Sequence, residues 1–128
     1  MAFDLSPEEQ AYLDERGGVV RFAYHGNFMP IEFTNKDGEA AGIMPDFVRW
    51  LAERIGFEPE FHAATGFQAV EGLASGKYDA IATHHHVEDV PEGLALTPVV
   101  MEAQSFLFVR SDSSIRTLSD LHGAVIAV

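Results

Sequence analysis

The regular alternation of short β-rich runs with amphipathic helical runs is the feature that most constrains this chain. "VVRFAY" (19–24) has the β-branched and aromatic content of a strand. "IMPDFVRWLAERIG" (43–56) reads as a helix, with Met44, Phe47, Val48, Leu51 and Ile55 on one face. Pro45 and Asp46 suit its first turn and Gly56 its end. "FEPEFHA" (57–63) is a second strand. "TGFQAVEGLASG" (65–76) is a second helix of this kind, with Thr65 and Gln68 as a capping box. Phe67, Val70, Leu73 and Ala74 form its expected buried stripe, and Ser75-Gly76 stops it. "YDAIAT" (78–83) is a third strand, and a short strand around Ile31–Thr34 precedes a turn at "NKDG". This order predicts an α/β fold, a mostly parallel sheet flanked by helices. Ligands of such sheets bind beyond the carboxyl ends of the strands. Two loops leave those ends, His25-Gly26-Asn27-Phe28 and Thr83 to His86, and both belong at the mouth of a cleft.

The flanks carry less information. "LSPEEQAYLDERGG" (5–18) is a short helix with Ser6 as cap, Pro7 in its first turn and Glu9 closing a capping box. Its apolar face is only Tyr12 and Leu13, which places it on the surface as a leader helix over residues 1–18. Glu8, Glu9, Asp14 and Glu15 form a solvated face. After the third strand, "ALTPVV" and "AQSFLFVR" read as further extended chain. "SDSSIRTLSDLHG" is a linker with one helical turn, and "AVIAV" (124–128) begins another strand.

Composition excludes several functions. Of 128 residues 47% are apolar, enough for a core, and formal net charge is −12. The eight basic residues form no cluster, so nucleic acid and anionic lipid are not expected partners. No apolar run approaches the length of a membrane span. "MAFDLSPEEQ" is not a secretory signal, although a chain starting after a signal or anchor looks the same. Cysteine is absent, which removes disulfides and thiol nucleophiles. No Gly-x-Ser-x-Gly elbow or phosphate-cradling glycine loop occurs, and no pair of acids stands out. The expectation is a domain that is not an enzyme and has no cofactor.

The ordered set "VRFAY…NFMPIEF…DG…GIMPDFVRWLAERIGFEPEF…GFQAVEGLASGKYDAIAT…LTPVV…FLFVR…IRTLSDLHGAVIAV" resembles the bacterial extracellular solute-binding proteins of family 3. The likeness runs from Val19 to Val128. The leader is similar to the lead-in of solute-binding domains in membrane-bound sensors such as histidine kinases. The resemblance implies a two-lobed clamp, the periplasmic-binding-protein or Venus flytrap fold, here incomplete. Residues 19–111 would be lobe one, and 112–128 the crossover and first strand of lobe two. It further implies an aromatic at Phe28 that stacks on ligand, and a ligand-touching turn at Phe67. Amino-acid-binding members carry a Thr followed three positions on by an Arg that pairs with the ligand carboxylate. Here the region is "THHHVEDVPEG", without Arg, so a standard amino acid is not the expected solute.

The expected ligand-binding residues are therefore His25, Asn27, Phe28, Phe67, Thr83, His84 and His85. Three readings of the histidine run stay open: a solute-contacting lip, an exposed polar loop, and a metal site of His84, His86 and Glu88. The spacing matches no zinc motif, and no resident metal is expected. Phe33 reads as core, Asp46 as a helix N-terminal acid with cleft lining as its alternative, and Trp50 as partly buried. The leading function is an extracytoplasmic sensory domain that couples solute-driven closure to a membrane-anchored histidine kinase or diguanylate cyclase. The rivals are a transport receptor for an ABC permease and a dehydratase or lyase on the same fold. A lost lobe would leave "GAVIAV" without its sheet, so it is expected to fold back on lobe one or to pair with a second chain as a swapped dimer.

Overall fold

The computed structural model describes residues 3–85 and 87–127. These fall into two compact units, 1–96 and 97–128. The first unit contains helix α1 (Pro7–Glu15), strand β1 (Val19–Tyr24), strands β2 (Asn27–Phe28), β3 (Glu32–Thr34) and β4 (Ala40–Ala41), and helix α2 (Ile43–Ile55). Strand β5 (Glu58–Ala63), helix α3 (Gly66–Ala74) and strand β6 (Ala80–Ile81) complete it.

The main sheet has the order β5-β1-β6, with both pairings parallel. Val19 faces Glu58 and Tyr24 faces Ala63 at the two ends of the first pairing. The α/β class with a parallel sheet is therefore present. The two-residue period of β1 divides its side chains between the sheet faces. On one face Ala23 packs with Ala69 and Tyr78 under α3. On the other, Tyr24 packs with Ala40, Ala82, Phe22 and Phe61, on the side where α2 meets β3, β4 and β5. The Tyr24 and Phe61 rings meet edge to face at 6.1 Å, and Phe22 lies 5.9 Å from Phe61.

The expected strand around Ile31–Thr34 is β3, and it sits in a small antiparallel meander β2-β3-β4. Two-residue strands at 27–28 and 40–41 carry too little pattern to be visible in the sequence. The meander feeds directly into α2. Gly42 precedes the helix with φ 114°, and the first helical amides donate to loop carbonyls: Ile43 N–H to Pro30 and Met44 N–H to Ile31. A β-carbon at Gly42 would lie 2.7 Å from the Ile31 carbonyl oxygen, so both conformation and space require glycine.

The helix faces match the periodicity in α2 and depart from it in α3. Met44, Pro45, Val48 and Ala52 are buried on α2, with Phe47, Leu51 and Ile55 half-buried beside them. On α3 the buried residues are Ala69 and Gly72, not Phe67, which is 79% exposed, nor Ala74. Tyr78 is the reason. Its ring lies where a β-carbon of Gly72 would stand, so the helix presents its smallest residues to the sheet. On α1 only Leu13 is buried, and both capping boxes form as the sequence indicates.

Asp79 ties the amino-terminal side of the sheet together. It accepts from Arg21 N–H, Nε and Nη2, each at 2.9 Å, and from Arg16 Nε at 3.3 Å. The Arg21 side-chain bonds hold its carboxyl down to about 2, against the upward push of burial, with the Arg21 amide and Arg16 adding to the effect.

In the second unit a one-turn 3₁₀ helix (Leu118–Leu121) is capped by Asp120, whose Oδ2 accepts from the amides of Arg116 and Thr117. The strand expected to begin at "AVIAV" is not formed among the described residues, and neither "ALTPVV" nor "AQSFLFVR" makes a ladder. A strand exists through a neighbour that takes its hydrogen bonds, and none of the described residues of this unit supplies one. Val125 is fully exposed and Ile126 half-exposed.

Candidate functional site

The carboxyl ends of β1 and β6 open into a cavity of about 570 Å³ lined by His25, Asn27, Phe28, Gly66, Phe67, Val70, Thr83, His84 and His85. All seven residues expected to bind ligand are in this lining. They come from three places in the chain, brought together because parallel pairing puts the ends of β1 and β6 side by side, with α3 starting after β5. Gly66 and Val70 were not foreseen. Gly66 lies at the start of α3, where a β-carbon would be 3.6 Å from His25 Nε2.

The floor is organised by a residue that sequence reasoning missed. Glu32 has no solvent exposure. Its Oε1 accepts from the His25 amide at 2.9 Å and meets His25 Nδ1 at 2.7 Å. Its Oε2 accepts from the Thr83 hydroxyl at 2.9 Å. One carboxylate from the meander thus fixes a residue after β1 and a residue after β6. A signal was present in "PIEFT", where an acid sits inside a short apolar run. An acid there must be paired, because an unpaired buried charge is too costly. Tyr24 Oη and Thr34 Oγ1, 2.8 Å apart, join the meander to β1 a second time.

The rim is less constrained. Phe28 is 41% exposed, and His84 and His85 are exposed, with His84 Nδ1 2.7 Å from the His85 carbonyl oxygen. His86 of the candidate metal set lies outside the described residues, and among the described residues no three His, Asp or Glu side chains converge on a metal position. Asp46 is exposed, does not line the cavity and pairs with Arg49 at 3.1 Å. Phe33 is half-buried in the meander rather than part of a core. Trp50 is partly exposed, stacked on Phe47 beneath the Arg54 guanidinium.

The model of the bacterial extracellular solute-binding proteins, family 3, matches residues 20–124. The chain belongs to this family. A probable amino-acid ABC transporter-binding protein of Haemophilus influenzae is 28% identical over 111 residues, 85% of this chain and 43% of that protein. The family-3 chain thus spans less than half the length of that relative. Among solved structures, the BvgS periplasmic domain of Bordetella pertussis superposes with a TM-score of 0.60 at 25% identity, covering 64% of this chain and 16% of its own. The BvgS periplasmic VFT2 domain gives 0.57 at 25% identity, covering 62% and 34%. An ancestral amino acid-binding protein, described as a precursor of cyclohexadienyl dehydratase, gives 0.52 at 25% identity, covering 69% and 35%. The periplasmic-binding-protein fold of this family-3 chain is thereby shown. No helix among the described residues is long and apolar enough to cross a membrane.

Proposed function

We propose that the cavity above Glu32 is the lobe-one half of a cleft for a small solute, in an extracytoplasmic sensory domain that passes clamp closure to a membrane-anchored signalling partner. The observation that carries the solute site is the Glu32 clasp, which holds His25 and Thr83 in place at the carboxyl end of a parallel sheet, where such folds bind ligands. The sensory reading is supported by the capped leader helix and by the likeness to the two BvgS domains. Closure transmits a signal only if the closed form gains contacts with the solute.

The transport-receptor reading is favoured by the Haemophilus influenzae relative. A solute screen by thermal shift on the full-length protein comes first: one solute should raise the midpoint, and His25→Ala with Phe67→Ala should remove the shift. The same solute should then change the output of the attached signalling partner. Solute uptake that depends on the protein, with no change of signal, would favour the transport receptor, and turnover of the solute would favour the lyase. Residues 83–93 contain no Arg, so standard α-amino acids should bind poorly: the missing guanidinium–carboxylate pair is worth about 1.5–3 kcal/mol. Micromolar binding of a common amino acid by calorimetry would contradict this.

A further inference from the structure

The outward side of α2 carries an aromatic and charged ridge that takes no part in the solute cavity. Met44, Val48 and Ala52 form the buried side of the helix. Asp46, Trp50 and Arg54 recur every four residues on the opposite side, with Ile43 and Phe47 beside them. Ile43 is 50% exposed and Trp50 44%. Trp50 is held in place before any partner arrives. Its ring stacks on Phe47 at 5.9 Å, the Arg54 guanidinium lies 3.9 Å from its ring centre, and Arg54 Nη1 donates to the Trp50 carbonyl at 3.1 Å. An aromatic fixed in this way loses little freedom on binding, and Trp and Arg are frequent anchors of interfaces.

We infer that this ridge is a contact between two copies of the chain, packed antiparallel about a two-fold axis at Trp50. The charge pattern selects that occupant, because the ridge is its own complement. Asp46 and Arg54 stand four residues before and after Trp50, about 6 Å to either side along the helix. Reversing the helix about Trp50 sets Asp46 of each copy against Arg54 of the other, with the two indoles at the centre. A partner of uniform charge would meet a like charge at one end. Rows of residues four apart are also the ridges that helices most often pack together. Elsewhere the net charge of −12 opposes self-association, but the four charges of α2, Asp46, Arg49, Glu53 and Arg54, cancel. Asp46 pairs with Arg49 at 3.1 Å within one copy, an exposed pair that costs little to exchange.

Sedimentation of the full-length protein over a range of concentrations should show a reversible dimer. Trp50→Ala should weaken it by about tenfold or more. Asp46→Arg and Arg54→Asp should each weaken it by about fivefold or more, since each sets like charges opposite one another. The two reversals combined in one chain should recover most of that loss. These side chains lie on the outward face, so circular dichroism should find every variant folded. Facing helix positions on a two-fold axis come within disulfide reach, so Trp50→Cys should cross-link two copies on oxidation, in a chain with no cysteine of its own. The cross-link reads the contact even where other parts of the full-length protein hold copies together. A protein that stays monomeric at every concentration would overturn the inference and leave the face to a different partner. A dimer indifferent to Trp50→Ala, with no disulfide at position 50, would overturn it too. So would charge reversals that each weaken the dimer without rescuing one another.

Discussion

Asp79 shows how one side chain sets a register. It is nearly buried, it bonds the backbone and guanidinium of Arg21 in the neighbouring strand, and it reaches Arg16 at the end of α1. Its carboxyl is held below the ordinary 3.8, at about 2. A depressed carboxyl stabilises the fold above its unfolded value, and that stabilisation is lost as pH falls through the folded one. Asp79→Asn should therefore destabilise the protein at neutral pH by about 1–2 kcal/mol, allowing for screening at half-exposed Arg21. The gap from the parent should close between pH 3.8 and about 2. Denaturant titrations at several pH values measure this, and a gap independent of pH would show that the carboxylate charge is irrelevant. Glu32, by contrast, was legible only as an acid inside the short apolar run "PIEFT", not by its partners. A glutamate within a short strand is normally turned to solvent, and its partners His25 and Thr83 are 7 and 51 positions away.

At the scale of elements, both capping boxes and the α2 stripe were legible because each depends on residues three or four apart. The α3 stripe was not, because which face of a short helix is buried was decided by Tyr78, outside the helix. Strands β2 and β4 of the meander were hidden for a similar reason, since they are defined by their partners across β3. The junction of meander and α2 yields a prediction. Gly42→Ala adds a β-carbon 2.8 Å from the Pro30 carbonyl oxygen and 2.7 Å from that of Ile31, at a positive φ. The cost should reach about 2 kcal/mol or more, from strain together with loosened bonds to the first amides of α2. Thermal unfolding tests it, and a midpoint equal to that of the parent would mean the junction adjusts freely.

For the molecule as a whole, charge is the dominant quantity. Twenty acids against eight basic residues leave a net −12 that repels itself in the compact state. Raising ionic strength from about 0.01 M to about 0.15 M shortens the screening length from roughly 30 Å to roughly 8 Å, so the unfolding midpoint should rise. A falling midpoint would show that ion pairs such as Arg21–Asp79 outweigh the repulsion. The parallel sheet and the gathering of the predicted ligand residues were legible at this scale, because strand alternation determines which loops share an end. The second unit was less so: its apolar runs look like strands, but a ladder needs a partner that local sequence does not reveal.

The Glu32 clasp also divides the cavity by what mutation can reach. His25 and Thr83 are bonded to a carboxylate that also joins the meander to the sheet, so a change at either is felt in folding as well as at the floor. Phe67, His84 and His85 are exposed, and none of them bonds to Glu32. Lineages that drift to a new solute through this cavity would accumulate their substitutions at the rim, where each is nearly free of a folding penalty. The floor would change late and in pairs, with Glu32 altered only beside a compensating change at 25 or 83.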